Sequence, residues 1–170
     1  MPLVAALTLS LLCQPARPGI RLNTPDDRAM KEFRLTSENV RKAAAVAHRL
    51  AAEVSKDPAL AQALGKKTGQ AATLDGKAKA LESEPRVASA LRAESIGARE
   101  YVMVQLAVVQ ARMIATILAQ GVAMDAATIG QAMNPANLEF VERHRKEMTQ
   151  LQRSQEELEE ASQPTGDANK

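Results

Sequence analysis

Between Tyr101 and Gln120 the chain runs without a proline or a glycine, and Arg112 is its only charge. As a helix this segment spans about 30 Å, and such an apolar rod is stable in water only if neighbours cover most of its circumference. A bilayer would cover it too, but an arginine at mid-length costs a few kcal/mol in hydrocarbon. The remaining way to cover it is a coat of other helices. Aromatics are only 2% of the chain, and alanine supplies roughly a fifth, a mixture that favours close helix packing over strands. The fold class is therefore all-α: an irregular helical bundle around a central apolar helix at about residues 98–120.

The other helices are marked by their starts. Leu35 precedes Thr36, with Val40 four residues into the helix, so Thr36 satisfies a free amide while Leu35 packs on Val40. Ile96, Gly97 and Tyr101 repeat the device, as do Met133, Asn134 and Leu138, the last with Pro135 at the first helical position. Asp57-Pro58 and Glu84-Pro85 mark two further starts. The expected helices run from 26 to 34, 37 to 55, 58 to 64, 75 to 81, 85 to 93 and 98 to 120, with a loop at 65–73 where two lysines and two glycines stand. A long C-terminal helix is expected from Pro135 to about Ala161. At roughly 40 Å it outruns the core and offers Leu151 and Leu158 to a partner or a second copy.

Residues 3 to 12 form an uncharged apolar run, broken by Pro15 and Pro18. The run is too short to span a bilayer and reads as the apolar part of an export signal, although no Lys or Arg precedes it. The expected organisation is a signal peptide at 1–16, a linker and short helix at 17–35, a helical domain at 36–161 and a disordered tail at 162–170. Cleavage near Ala16 removes Cys13, the single cysteine, and with it any disulfide or thiol chemistry. Cys13 is also the one lipidation candidate, and membrane attachment depends on it.

Two sets of side chains are candidates for a binding site. At 100° per residue Tyr101, Gln105, Arg112, Thr116 and Gln120 share a sector of about 100°, either a solvent face or a groove lined by Tyr101, Gln105 and Arg112 for an anionic ligand. His144 sits among Phe140, Val141, Met148 and Leu151 on the apolar face of the last helix, and His48 borders an alanine-rich face. Side by side, those helices bring His48 and His144 together as metal or haem ligands; apart, each imidazole is a neutral core group. Signatures for acyl transfer, phosphate loops, dinucleotide binding and zinc hydrolysis are absent. Basic residues are interleaved with acids, with a net charge of only +2, so no nucleic-acid face stands out.

The stretch from Glu84 to Leu91, then Ala98-Arg99-Glu100-Tyr101-Val102, then Asn134 to Val141 with His144, resembles a group of short, exported, all-helical bacterial proteins without an assigned activity. The resemblance covers roughly residues 35–150 and implies fold rather than chemistry; Gly97 stands where such proteins carry a Thr or Ser cap. The expectation is a non-catalytic periplasmic or secreted protein, without a cofactor, that binds a protein partner or small ligand or self-associates through its C-terminal helix. The alternatives are a metal- or haem-binding bundle using His144 and His48, and a cytoplasmic helical interaction protein.

Overall fold

A computed structural model describes residues 24–162. The apolar run, Cys13, the cleavage site and residues 163–170 lie outside the described residues. Nine helices are present among the described residues: α1 (Pro25–Glu32), α2 (Ser37–Lys56), α3 (Ala59–Gln70), α4 (Leu74–Glu82), α5 (Pro85–Ala93), α6 (Ala98–Ala119), α7 (Ala126–Ala132), α8 (Pro135–Arg143) and α9 (Arg145–Ala161). The protein is all-α, with α6 as its central apolar helix.

The expected side-chain caps form at Thr36 and Asn134, whereas the starts of α3 and α5 carry none. Thr36 accepts from the Asn39 amide at 3.1 Å while Asn39 Oδ1 accepts from the Thr36 amide at 2.9 Å, closing a capping box at the start of α2. Leu35 and Val40 are both buried behind it. Thr24 and Asp27 close a similar box on α1, and their hydrogen bonds hold the Asp27 carboxyl below the usual range. Asn134 caps α8 with Pro135 in the first turn. Gly97 starts α6 with no side-chain hydrogen bond. Two helices end in Schellman turns. At the end of α6, Gly121 takes φ of 81° while the Val122 amide reaches the Ile117 carbonyl at 3.3 Å. After α5, Ser95 adopts φ of 50°, and the Ile96 amide reaches the Leu91 carbonyl at 3.1 Å.

The core forms where α2 meets α9, α5 and α6. The pairing of α2 with α9 is the most extensive in the fold. Ser37 Oγ donates to Glu147 at 3.2 Å, and His48 meets Glu157 at 2.7 Å. Contacts that advance together along both chains mean that the two helices run parallel. Small residues make this close approach possible: Ala43, Ala44 and Ala47 of α2 are almost wholly buried. A second, smaller cluster joins Ala111 and Ile114 of α6 to Met133, with Ile129 and Leu138 packed around it.

Three features differ from the sequence expectation. The 65–73 segment is not a loop throughout, because α3 continues to Gln70. Leu60, Leu64 and Thr68 form a buried line at four-residue spacing. That packing, with Lys77 Nζ donating to the Thr68 carbonyl at 2.9 Å, outweighs the helix cost of Gly65 and Gly69.

The C-terminal helix is two helices. His144, at φ −105° and ψ 47°, separates α8 from α9. No proline or glycine stands there; the bend lets α8 pack on α6 while α9 packs along α2. Leu151 is consequently 1% exposed, inside the core, and Leu158 packs on the core while remaining half-buried.

The third difference is α7, a helix the sequence reading did not anticipate. Asp125 caps it by accepting from the Thr128 amide at 2.7 Å, yet α7 buries no residue fully.

Candidate functional site

The polar stripe of α6 divides into two parts with different surroundings. In its first half the helix is buried over the full turn from Tyr101 to Val104. Tyr101 is enclosed and hydrogen-bonds Gln105, whose Oε1 accepts from Gln155 Nε2 of α9. These three side chains form a polar strut between α6 and α9, and they do not line an open groove. Burial pushes the Tyr101 phenol up to about 12 because the phenolate would lose its hydration, while the hydrogen bond to Gln105 acts in the opposite direction.

A titration follows from that burial. The chain has one tyrosine and no tryptophan, so tyrosinate absorbance reports this position alone. Since the folded phenol titrates above its unfolded value, its stabilising contribution is complete below about pH 10 and is lost as pH rises through the folded value. The expected absorbance transition lies near 12 or coincides with alkaline unfolding. A reversible midpoint near 10 with circular dichroism unchanged would show an open, solvated phenol.

The second half of α6 presents one side to solvent. Arg112 is exposed, and among the described residues no carboxylate forms an ion pair with it; Thr116 donates its hydroxyl to the Arg112 carbonyl at 2.9 Å. Beside them lies an apolar edge. Val109, Met113 and Ile117 fall within a sector of about 80°, in line with Leu106, which packs on the main core. Met113 is 56% exposed, and Val122, just beyond the helix end, is 52% exposed; they are the two strongly exposed large apolar residues among those described. The opposite side of the same half packs on α7 and α8 through Ala111, Ile114 and Leu118. Gln110 flanks the edge, and its Oε1 is buried without a hydrogen-bond partner among the described residues. The edge is legible in the sequence only once it is known which side of α6 its neighbours cover.

The histidines are not brought together. His144 stacks on Phe140 with ring centroids 4.0 Å apart, and its Nδ1 lies 3.1 Å from the Phe140 carbonyl, which fixes it as a donor there. His48 is exposed and bonded to Glu157. Glu157 stands thirteen residues beyond His144, about 20 Å of helical rise, so the two imidazoles lie at different levels of the α2–α9 pair. Among the described residues no three His, Cys, Asp or Glu side chains gather as a metal-binding group.

One residue absent from the sequence reading holds this end of the fold together. Asn137 of α8 is 2% exposed, accepts from the Leu35 amide at 2.8 Å and donates to the Phe33 carbonyl at 3.0 Å. It fastens the segment between α1 and α2 beneath α8. Asn39 secures the same segment from the other side, donating to the Arg34 carbonyl at 3.1 Å.

Compared with known protein families, curated proteins and solved structures, the chain matches none. The part of the expected resemblance that stands is an all-helical protein of 170 residues.

Proposed function

We propose that the chain is a non-catalytic helical binding protein, periplasmic or secreted, whose protein partner docks on the outer edge of the second half of α6. The observation that carries this reading is the position of Met113 and Val122. Both are more than half exposed, and both lie at the same end of the most apolar helix. Large apolar side chains on a surface lose favourable free energy that a partner restores, and methionine adapts its shape to an occupant. Arg112 and Thr116 border the edge as a polar rim, the arrangement that gives an apolar contact its register. The apolar residues of α9 are committed to α2, so α6 is the better surface for association than the C-terminal helix. The uncharged apolar run at 3–12 supports the location.

A photo-crosslinking amino acid placed at position 113, and for comparison at the exposed Arg145, tests this in cells that produce the protein. The expected result is one defined adduct at 113 that is absent at 145 and is lost in the Arg112→Glu background. Arg112→Glu itself is expected to leave stability within about 0.5 kcal/mol, as for an exposed side chain outside the core. The same set of adducts at both positions, or none at 113, would overturn the reading.

A further inference from the structure

We propose that α7 is a hinged cover beside the second half of α6, and that it swings away while the main core stays folded, widening the α6 edge. The motion rests on how α7 is held; its meaning as control of a binding surface rests on the reading of that edge given above.

The hold on α7 is light. Seven residues are too few to sustain a helix by themselves, so neighbouring elements must keep it in place. Yet Ala126, Ala127, Thr128, Gln131 and Ala132 are exposed, and only Ile129 and Gly130 are half-buried. The Asp125 cap and the bond from the Ile129 amide to the Asp125 carbonyl lie within the segment and travel with it. Segments with so little buried surface open at far lower cost than the core they rest on.

Both ends of α7 can turn. Upstream, Gly121 takes φ of 81°, and Gly121, Val122 and Ala123 are exposed. Downstream, Met133 is extended at φ −159° and ψ 174° before Asn134 starts α8. Positions outside helices absorb the dihedral changes of a hinge. Met133 is 1% exposed, so the downstream pivot stays seated when the cover lifts.

What the cover hides adjoins the open edge. Met124 and Ile129 pack against the cluster that contains Ala111, Ile114 and Met133. Round α6, Ile114 and Leu118 lie about 60° and 100° beyond Ile117, on the side away from Val109 and Met113. Together these five residues form an apolar sector of about 180°, with Gln110 the one polar side chain inside it. Lifting Met124 and Ile129 opens the Ile114 side of that sector to solvent.

The test places one thiol on α6 in a Cys13→Ser chain, either as Ile114→Cys beneath the cover or as Val104→Cys in the main core; the two native side chains are 2% and 0% exposed. Alkylation is expected to be at least about 100-fold faster at 114 than at 104. Ile129→Asp, which loosens the cover, is expected to speed alkylation at 114 by a further tenfold or so and to leave 104 unchanged. Equal rates at the two positions would overturn the inference, and so would a rate at 114 that ignores Ile129→Asp. Circular dichroism checks that each chain keeps its helices. Amide exchange of the unsubstituted protein makes the test independent of these variants: the Ile129 amide is expected to exchange at least about tenfold faster than that of Val104, and equal protection would overturn the inference. The binding reading stands or falls separately. Specific crosslinking from position 113 alongside equal alkylation rates would keep the partner surface and discard the cover; fast alkylation at 114 without a specific adduct at 113 would keep the cover and discard the partner surface.

Discussion

Asn137→Leu is expected to lower stability by about 3 kcal/mol, a drop of roughly 10 °C in melting temperature for a chain of this length. The leucine fills nearly the same volume, so little of the loss comes from packing. It comes from the Leu35 amide and the Phe33 carbonyl, which Asn137 satisfies at 2.8 and 3.0 Å and which the leucine leaves without a partner. A buried amide or carbonyl without a hydrogen bond costs about 1–3 kcal/mol. Asn137→Asp keeps the acceptor for Leu35 but turns an oxygen toward the Phe33 carbonyl, and it is expected to destabilise at least as much at neutral pH. Thermal denaturation measures the loss, and hydrogen exchange at the Leu35 amide locates it. A leucine variant within about 0.5 kcal/mol of the parent would mean that the 33–35 segment is not held through Asn137.

Asn137 also shows where sequence reading ends. Asn134 was legible because a cap is a local device, completed within three residues by the amide of Ala136. Asn137 is three positions further along and equally polar, but its partners lie more than a hundred residues away in the chain. No spacing rule connects them. The same distinction separates the helices that were read correctly from the features that were not. The starts of α2, α6 and α8 are written in caps, staples and a proline, and all three form. The continuation of α3 through Gly65 and Gly69 depends on the burial of Leu64 and Thr68 by other helices, which overrides a local preference for a loop. The break at His144 depends on α8 and α9 having different partners; periodicity alone saw one uninterrupted helix. The stripe on α6 was legible as a set of residues sharing a side. Its meaning was not, because Tyr101 and Gln105 face α9 while Arg112 and Thr116 face solvent, and only the ends of the neighbouring helices decide where that change falls.

Leu151→Ala separates the two roles that the last helix can play. An apolar residue held for a partner is exposed in the free protein, and truncating it costs little stability or even improves solubility. Leu151 is 1% exposed and belongs to the main core, on the helix that makes the most extensive contact with α2. Its truncation removes buried apolar surface and leaves a cavity, since the alanines and valines of the facing helix are too short to fill it. The expected loss is about 3 kcal/mol, within the range of roughly 2–5 for buried leucine-to-alanine changes. It is expected to be independent of protein concentration. Leu158→Ala, at a position that packs on the same core but is only partly buried, is expected to cost less, about 1 kcal/mol. Denaturant unfolding at two protein concentrations measures both. Near-zero loss at Leu151, or a midpoint that shifts with concentration for the parent and not for the variant, would return this helix to the interface role that its sequence suggests. A concentration-independent loss at Leu151 leaves the outer edge of α6 as the apolar surface on which association has to be sought.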